Sequence, residues 1–135
     1  MCTKNTKSQV ESCKLKVESS MDHYNIQDKT FQFAIRTVRL CKLLRAERKE
    51  YTLSGQLLKS GTSIGANVTE AQHAQSRADF LSKLNIALKE AAESKYWIRL
   101  LHATDYLTDA EFQSIHSDCM EIEKILVTSV KSIKG

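Results

Sequence analysis

From Asp28 onward the apolar positions recur at intervals of three and four, the spacing that lines side chains along one face of an α-helix. Asp28 can act as an N-cap. Behind it Phe31, Ala34, Ile35, Val38 and Cys41 form one stripe and Phe33, Leu40, Leu44 and Tyr51 a second, which predicts a first helix ending near Arg48. After a short turn near Glu50, the seam Leu53, Leu57, Gly61, Ile64, Val68 and Ala71 predicts a second helix. Glycine inside a helix costs roughly 0.5–1 kcal/mol against alanine, so Gly61 and Gly65 predict a second backbone packed closely against them. The alternative is a loop at 60–63, where the sequence reads Ser-Gly-Thr-Ser.

Ser76 and Asp79 have the spacing of a capping box and open a third helix. Phe80, Leu84, Ala87, Ala91, Ser94, Ile98 and Leu101 follow at strict four-three spacing, widened by Leu81, Leu88 and Ala92. On another side of the same helix lie Ile86, Trp97 and Leu100, with Tyr96 beside them. A single bundle core cannot cover both faces, so these four residues are candidates for an oligomer interface. Thr108 and Glu111 form a second capping box and start a fourth helix that turns Phe112, Ile115, Cys119, Ile122, Leu126 and Val130 inward. Four helices joined by short turns predict an all-α, antiparallel up-down-up-down four-helix bundle spanning 28–135.

Composition agrees, since the 135 residues include no proline and four glycines. That length suits one domain. Residues 1–27 are polar and basic with sparse apolar positions, and they read as a flexible extension; a start at Met21 would keep everything expected to fold. Neither a signal-peptide core nor an apolar run of membrane-spanning length is present, so the expected location is the cytoplasm, with no membrane partner. Cys2, Cys13, Cys41 and Cys119 are widely separated and read as four reduced thiols, not as a zinc site or a disulfide framework.

Charge adds a polarity. Residues 28–50 carry seven Lys and Arg against three Asp and Glu, whereas 105–135 carry three against six. Lys29, Arg36 and Arg39 fall within an arc of about 80° opposite the apolar stripes of the first helix, at about 100° per residue. With Lys42 and Arg45 they are the candidate nucleic-acid contacts, and an acidic protein partner would suit the same surface.

Catalytic patterns fail on context. Gly61-Thr62-Ser63-Ile64-Gly65 matches the nucleophile elbow of serine hydrolases, with His73, His102 and His116 downstream, but that elbow requires a strand before its serine. Read as G-x-x-x-G, the same residues favour helix packing. A di-iron bundle requires Glu-x-x-His on each of two helices, whereas the sequence has that spacing once, at Glu70 and His73, and no phosphate-binding glycine loop occurs. Glu70, Glu90 and Glu93 read as ion-pair partners for Lys83, Lys89 and Lys95. No enzyme, metal or cofactor is expected. Asn67, beside the seam, is a candidate for fixing helix register through a buried amide.

The run QLLKSGTSIGANVTEAQHAQSRADFLSKLNIALKEAAESKYWIRLL, residues 56–101, resembles the central segment of a family of small bacterial four-helix-bundle proteins encoded in intervening sequences of 23S ribosomal RNA genes. The resemblance extends from Asp28 to about Lys131 and rests on SGTSIGAN, DFL-x-K, KEA and YW at these separations. It implies ring-shaped homo-oligomers, pentamers above all, and a non-catalytic role, because similar proteins serve as nucleic-acid-binding accessory factors of diversity-generating retroelements. Ser60, Gly61, Ser63, Gly65, Asn67, Glu70, Asp79, Phe80, Glu90, Tyr96 and Trp97 match its motif as structural and interface positions.

Overall fold

The computed structural model describes residues 21–134, with side chains from Ile26 onward. Four helices follow one another: α1 (Met21–Ala46), α2 (Thr52–Ala71), α3 (Arg77–Ala103) and α4 (Asp109–Lys134). No strand occurs among the described residues. α1 starts upstream of Asp28, which corrects the boundary expected there: 21–27 is helical and Ile26 is fully buried. One aliphatic residue in a polar stretch carries too little periodicity to announce a helical turn. The remainder of the expected extension, 1–20, lies outside the described residues.

α2, α3 and α4 bury the seams their spacing predicts. Leu57, Gly61, Ile64, Val68 and Ala71 are buried on α2, Leu84 to Leu101 on α3, and Ile115 to Val130 on α4. The segment at 60–63 is helix, not loop. In α1 the two apolar stripes are not equal. Phe33, Cys41 and Leu44 enter the core, but Phe31 is 63% exposed and Tyr51, just outside the helix, 58% exposed. The buried row instead runs Ile26, Thr30, Phe33, Thr37, Cys41 and Leu44. Both threonines are tolerated there because their hydroxyls donate to their own helix, Thr30 to the Ile26 carbonyl and Thr37 to the Phe33 carbonyl, each at 2.8 Å.

Small and polar residues set the helix spacing. A Cβ on Gly61 would lie 2.8 Å from Thr37 Cγ2, and one on Gly65 would lie 3.3 Å from the Thr30 carbonyl oxygen. α1 therefore crosses α2 at these two glycines. Between α2 and α3, Ser94 donates to Ser60 Oγ at 2.9 Å inside the core. Asn67 does not fix register: its amide donates to the Ser63 carbonyl of its own helix at 2.9 Å. Beside the seam and only half-buried, it finds its partner in the carbonyl four residues back.

The helix ends are capped by side chains. Glu50, nearly buried, accepts from the backbone N–H groups of Thr52, Leu53 and Ser54, at 3.1, 2.7 and 2.6 Å. Ser76 accepts from the Asp79 N–H. Thr108 and Glu111 form the reciprocal box, each N–H donating to the other's side chain. Asp105, with φ 70°, ends α3 in the left-handed conformation that lets the Tyr106 N–H reach the Leu101 carbonyl.

Glu111 also receives both Arg48 guanidinium nitrogens, at 2.7 and 2.9 Å, tying α1 to the start of α4. Those hydrogen bonds, then the one from Thr108, hold its carboxyl well below the usual range, at about 2. A depressed folded pKa stabilises above the ordinary carboxylate range, and that contribution disappears as pH falls toward 2. Glu111→Gln is therefore expected to cost about 1–2 kcal/mol near neutrality, a lost cap plus a half-exposed ion pair. Urea titrations should show the two proteins converging near pH 2; an undiminished difference there would refute the assignment.

Candidate nucleic-acid interface and exposed apolar faces

The acidic segment that sequence reading left without a partner is α4, and it lies against α1. Lys29 Nζ is 3.0 Å from Glu121, Arg36 pairs with Asp118, and Arg36 Nη2 donates to Ser114 Oγ at 2.8 Å. Lys29 and Arg36 thus do not stand on a free solvent face, as their helical positions suggested. The true core row of α1 is rotated toward Thr30 and Thr37, which turns Lys29 and Arg36 to the α4 side. Arg45 is exposed with its Nε donating to Ser54 Oγ at 3.2 Å. Arg39 and Lys42 are exposed and enter no ion pair among the described residues. Of the five candidate cations, then, two are neutralised within the chain and three project from the C-terminal half of α1.

The candidate interface residues divide between two flanks of α3. Ile86, 37% exposed, and half-buried Trp97 lie within about 20° of each other around the helix. Trp97 Nε1 donates to Glu93 at 3.0 Å. Burial and the Glu93 charge raise the Glu90 pKa. Tyr96 and Leu100 instead line an open groove of about 390 Å³ toward α4, together with Arg99, His102, Ala103 and Phe112. Sequence reading missed a further apolar face, around Phe31. That side chain and Ala34 border a groove of about 430 Å³ whose far wall is Gly65 and Ala66 of α2. Its signal was present in the doubled stripe of α1, one member of which had to face outward.

Ser63, the serine of the hydrolase-like motif, sits within α2 and donates to the Lys59 carbonyl at 2.7 Å. His102 contacts Asp109 at 2.7 Å, and His116 stacks on Phe112, so both rings are held by partners other than that serine. Glu70 pairs with Lys83 and Glu123 with Lys95, each joining two helices. Burial raises the thiols of Cys41 and Cys119 to about 11 and about 12, far from a reactive thiolate. Among the described residues no group of His, Cys, Asp and Glu could hold a metal ion, and no helix is long and apolar enough to cross a membrane.

These features define, over the described residues, an all-α protein of four helices with charged and apolar surfaces. A model of the 23S rRNA-intervening sequence protein family matches residues 22–128, and the chain belongs to that family. A crystal structure of a protein of unknown function in the S23 ribosomal protein family, from Bacteroides thetaiotaomicron, is similar to it with a TM-score of 0.81 and 52% identity. The match covers 82% of this chain and 99% of that one. No curated protein sequence matches the chain.

Proposed function

We propose that this protein is a non-enzymatic homo-oligomer of antiparallel up-down-up-down bundles, assembled as a ring, that binds RNA or DNA through phosphate contacts. Supporting the antiparallel arrangement, Lys29, Arg36 and Arg48 meet Glu121, Asp118 and Glu111, so residue numbers rise along α1 as they fall along α4. Supporting assembly, the protomer leaves two different apolar faces uncovered, one at Ile86 and Trp97 and one at Phe31. A cyclic ring requires two different faces, because each subunit meets its neighbours head to tail. The family resemblance favours five subunits.

One observation carries the nucleic-acid reading: Arg39 and Lys42 stand exposed and without an ion-pair partner among the described residues, with Arg45 a turn further on. Cations that are not neutralised within the chain are the ones able to displace counterions from phosphates. Affinity for a structured RNA should fall with salt, with a logarithmic slope of about one per phosphate contacted. Replacing Arg39 and Lys42 together by Glu should lower that slope by about two. No binding at low salt, or binding unchanged in the double variant, ends this reading. A scaffold for an acidic protein is the second reading, favoured by the fact that Lys29 and Arg36 on the same helix already hold carboxylates. Co-purification of one stoichiometric protein, free of nucleic acid, would establish it instead.

A further inference from the structure

The groove between α3 and α4 differs in chemistry from the rest of the surface. His102 and Phe112 stack with ring centroids 4.1 Å apart and planes inclined by 11°, and Phe112 stacks on His116 at 4.7 Å and 26°. Burial, then the charges of Lys95 and Arg99, lowers the His116 pKa, which favours a neutral ring in this column. Across the groove Tyr96 is 55% exposed, held edge-on against Trp97 at 4.9 Å. Arg99, one turn of α3 from Tyr96, is exposed and has no carboxylate partner among the described residues. Asp109, beside the groove, is engaged by His102.

A half-exposed tyrosine ring and a guanidinium without a carboxylate partner among the described residues, bordering a groove of about 390 Å³, suit a flat heteroaromatic ring attached to an anion. Trp97, in contact with Tyr96, continues the apolar surface beyond the groove, so a protein contact at Tyr96 is the alternative outcome that the test separates. We propose that this groove is a stacking site for one unpaired nucleobase of a nucleic-acid strand, with Tyr96 as the stacking ring and Arg99 as the contact to the adjoining phosphate. The inference rests on the nucleic-acid reading above and adds a strand preference to it. Arg39, Lys42 and Arg45 contact any phosphate backbone, while a base can enter the groove only when it is unpaired.

The test is fluorescence anisotropy with a short labelled oligoadenylate RNA, and with the same strand annealed to its complement, on the intact chain and its variants. Tyr96→Ala should weaken single-strand binding about tenfold, in the range expected for one stacked base, and leave duplex binding unchanged. Arg99→Gln should weaken single-strand binding and lower its salt slope by about one. Arg39→Glu should weaken both ligands. If the wild-type protein binds neither RNA at low salt, the nucleic-acid reading fails and takes this inference with it. If it binds but Tyr96→Ala weakens single strand and duplex equally or not at all, only the stacking site is overturned. The same holds if Tyr96→Ala lowers the oligomer's mass or releases a bound protein, since Tyr96 is then a protein contact.

Discussion

Replacing Gly61 by valine should destabilise the bundle by about 3 kcal/mol, at the upper end of the range for inserting bulk into a packed core. Gly61 faces Thr37 of α1, and an added Cβ would sit 2.8 Å from Thr37 Cγ2 and 2.9 Å from Thr37 Oγ1. Neither atom can move away freely. The Thr37 hydroxyl is committed to the Phe33 carbonyl, and the side chain is fully buried. Alanine at the same position should cost less, about 1 kcal/mol, because its better helix propensity offsets part of the overlap. Thr37→Ala removes both overlapping atoms and should recover most of the Gly61→Ala loss. Chemical denaturation of the two single variants and the double variant measures this coupling. If Gly61→Ala costs the same with and without the Thr37→Ala substitution, the glycine serves something other than the α1 crossing.

Trp97→Glu should convert the proposed oligomer to a monomer by light scattering while the far-ultraviolet circular dichroism stays helical. Tryptophans that anchor an interface contribute about 2 kcal/mol or more to it, each 1.4 kcal/mol being about tenfold in the association constant. The substitution also places a third carboxylate beside Glu93, which Trp97 now satisfies, and Glu90, whose pKa burial and Glu93 already raise. Covering that cluster with a neighbouring subunit would bury unpaired charge. Trp97 also packs on the core, so Ile86→Glu provides a milder check, its side chain being more exposed. An unchanged mass in both variants would remove this flank of α3 from the subunit contact.

The sequence and the structure agree where one residue type marks one face. The α3 seam, with its four-three spacing, is buried from Leu84 to Leu101, and the Thr108–Glu111 box closes as its spacing predicts. They part where two elements compete for one residue. α1 has more apolar positions than one face can hold, and periodicity does not say whether Phe31 or Phe33 turns inward. That choice is made by Thr30 and Thr37 fitting against Gly65 and Gly61, an arrangement involving two helices. The rotation it imposes carries Lys29 and Arg36 to Glu121 and Asp118, and so decides which cations remain free.

Helix type, helix number, the side-chain caps of α3 and α4 and the surplus of apolar surface were thus determined by the sequence alone, because each depends on residues within a few turns of one another. The rotation of α1 about its axis, the partners of the basic residues and the groove joining Tyr96 to Phe112 were decided only by the tertiary structure. Each of these depends on which face a neighbouring helix presents, and local spacing carries no information about that.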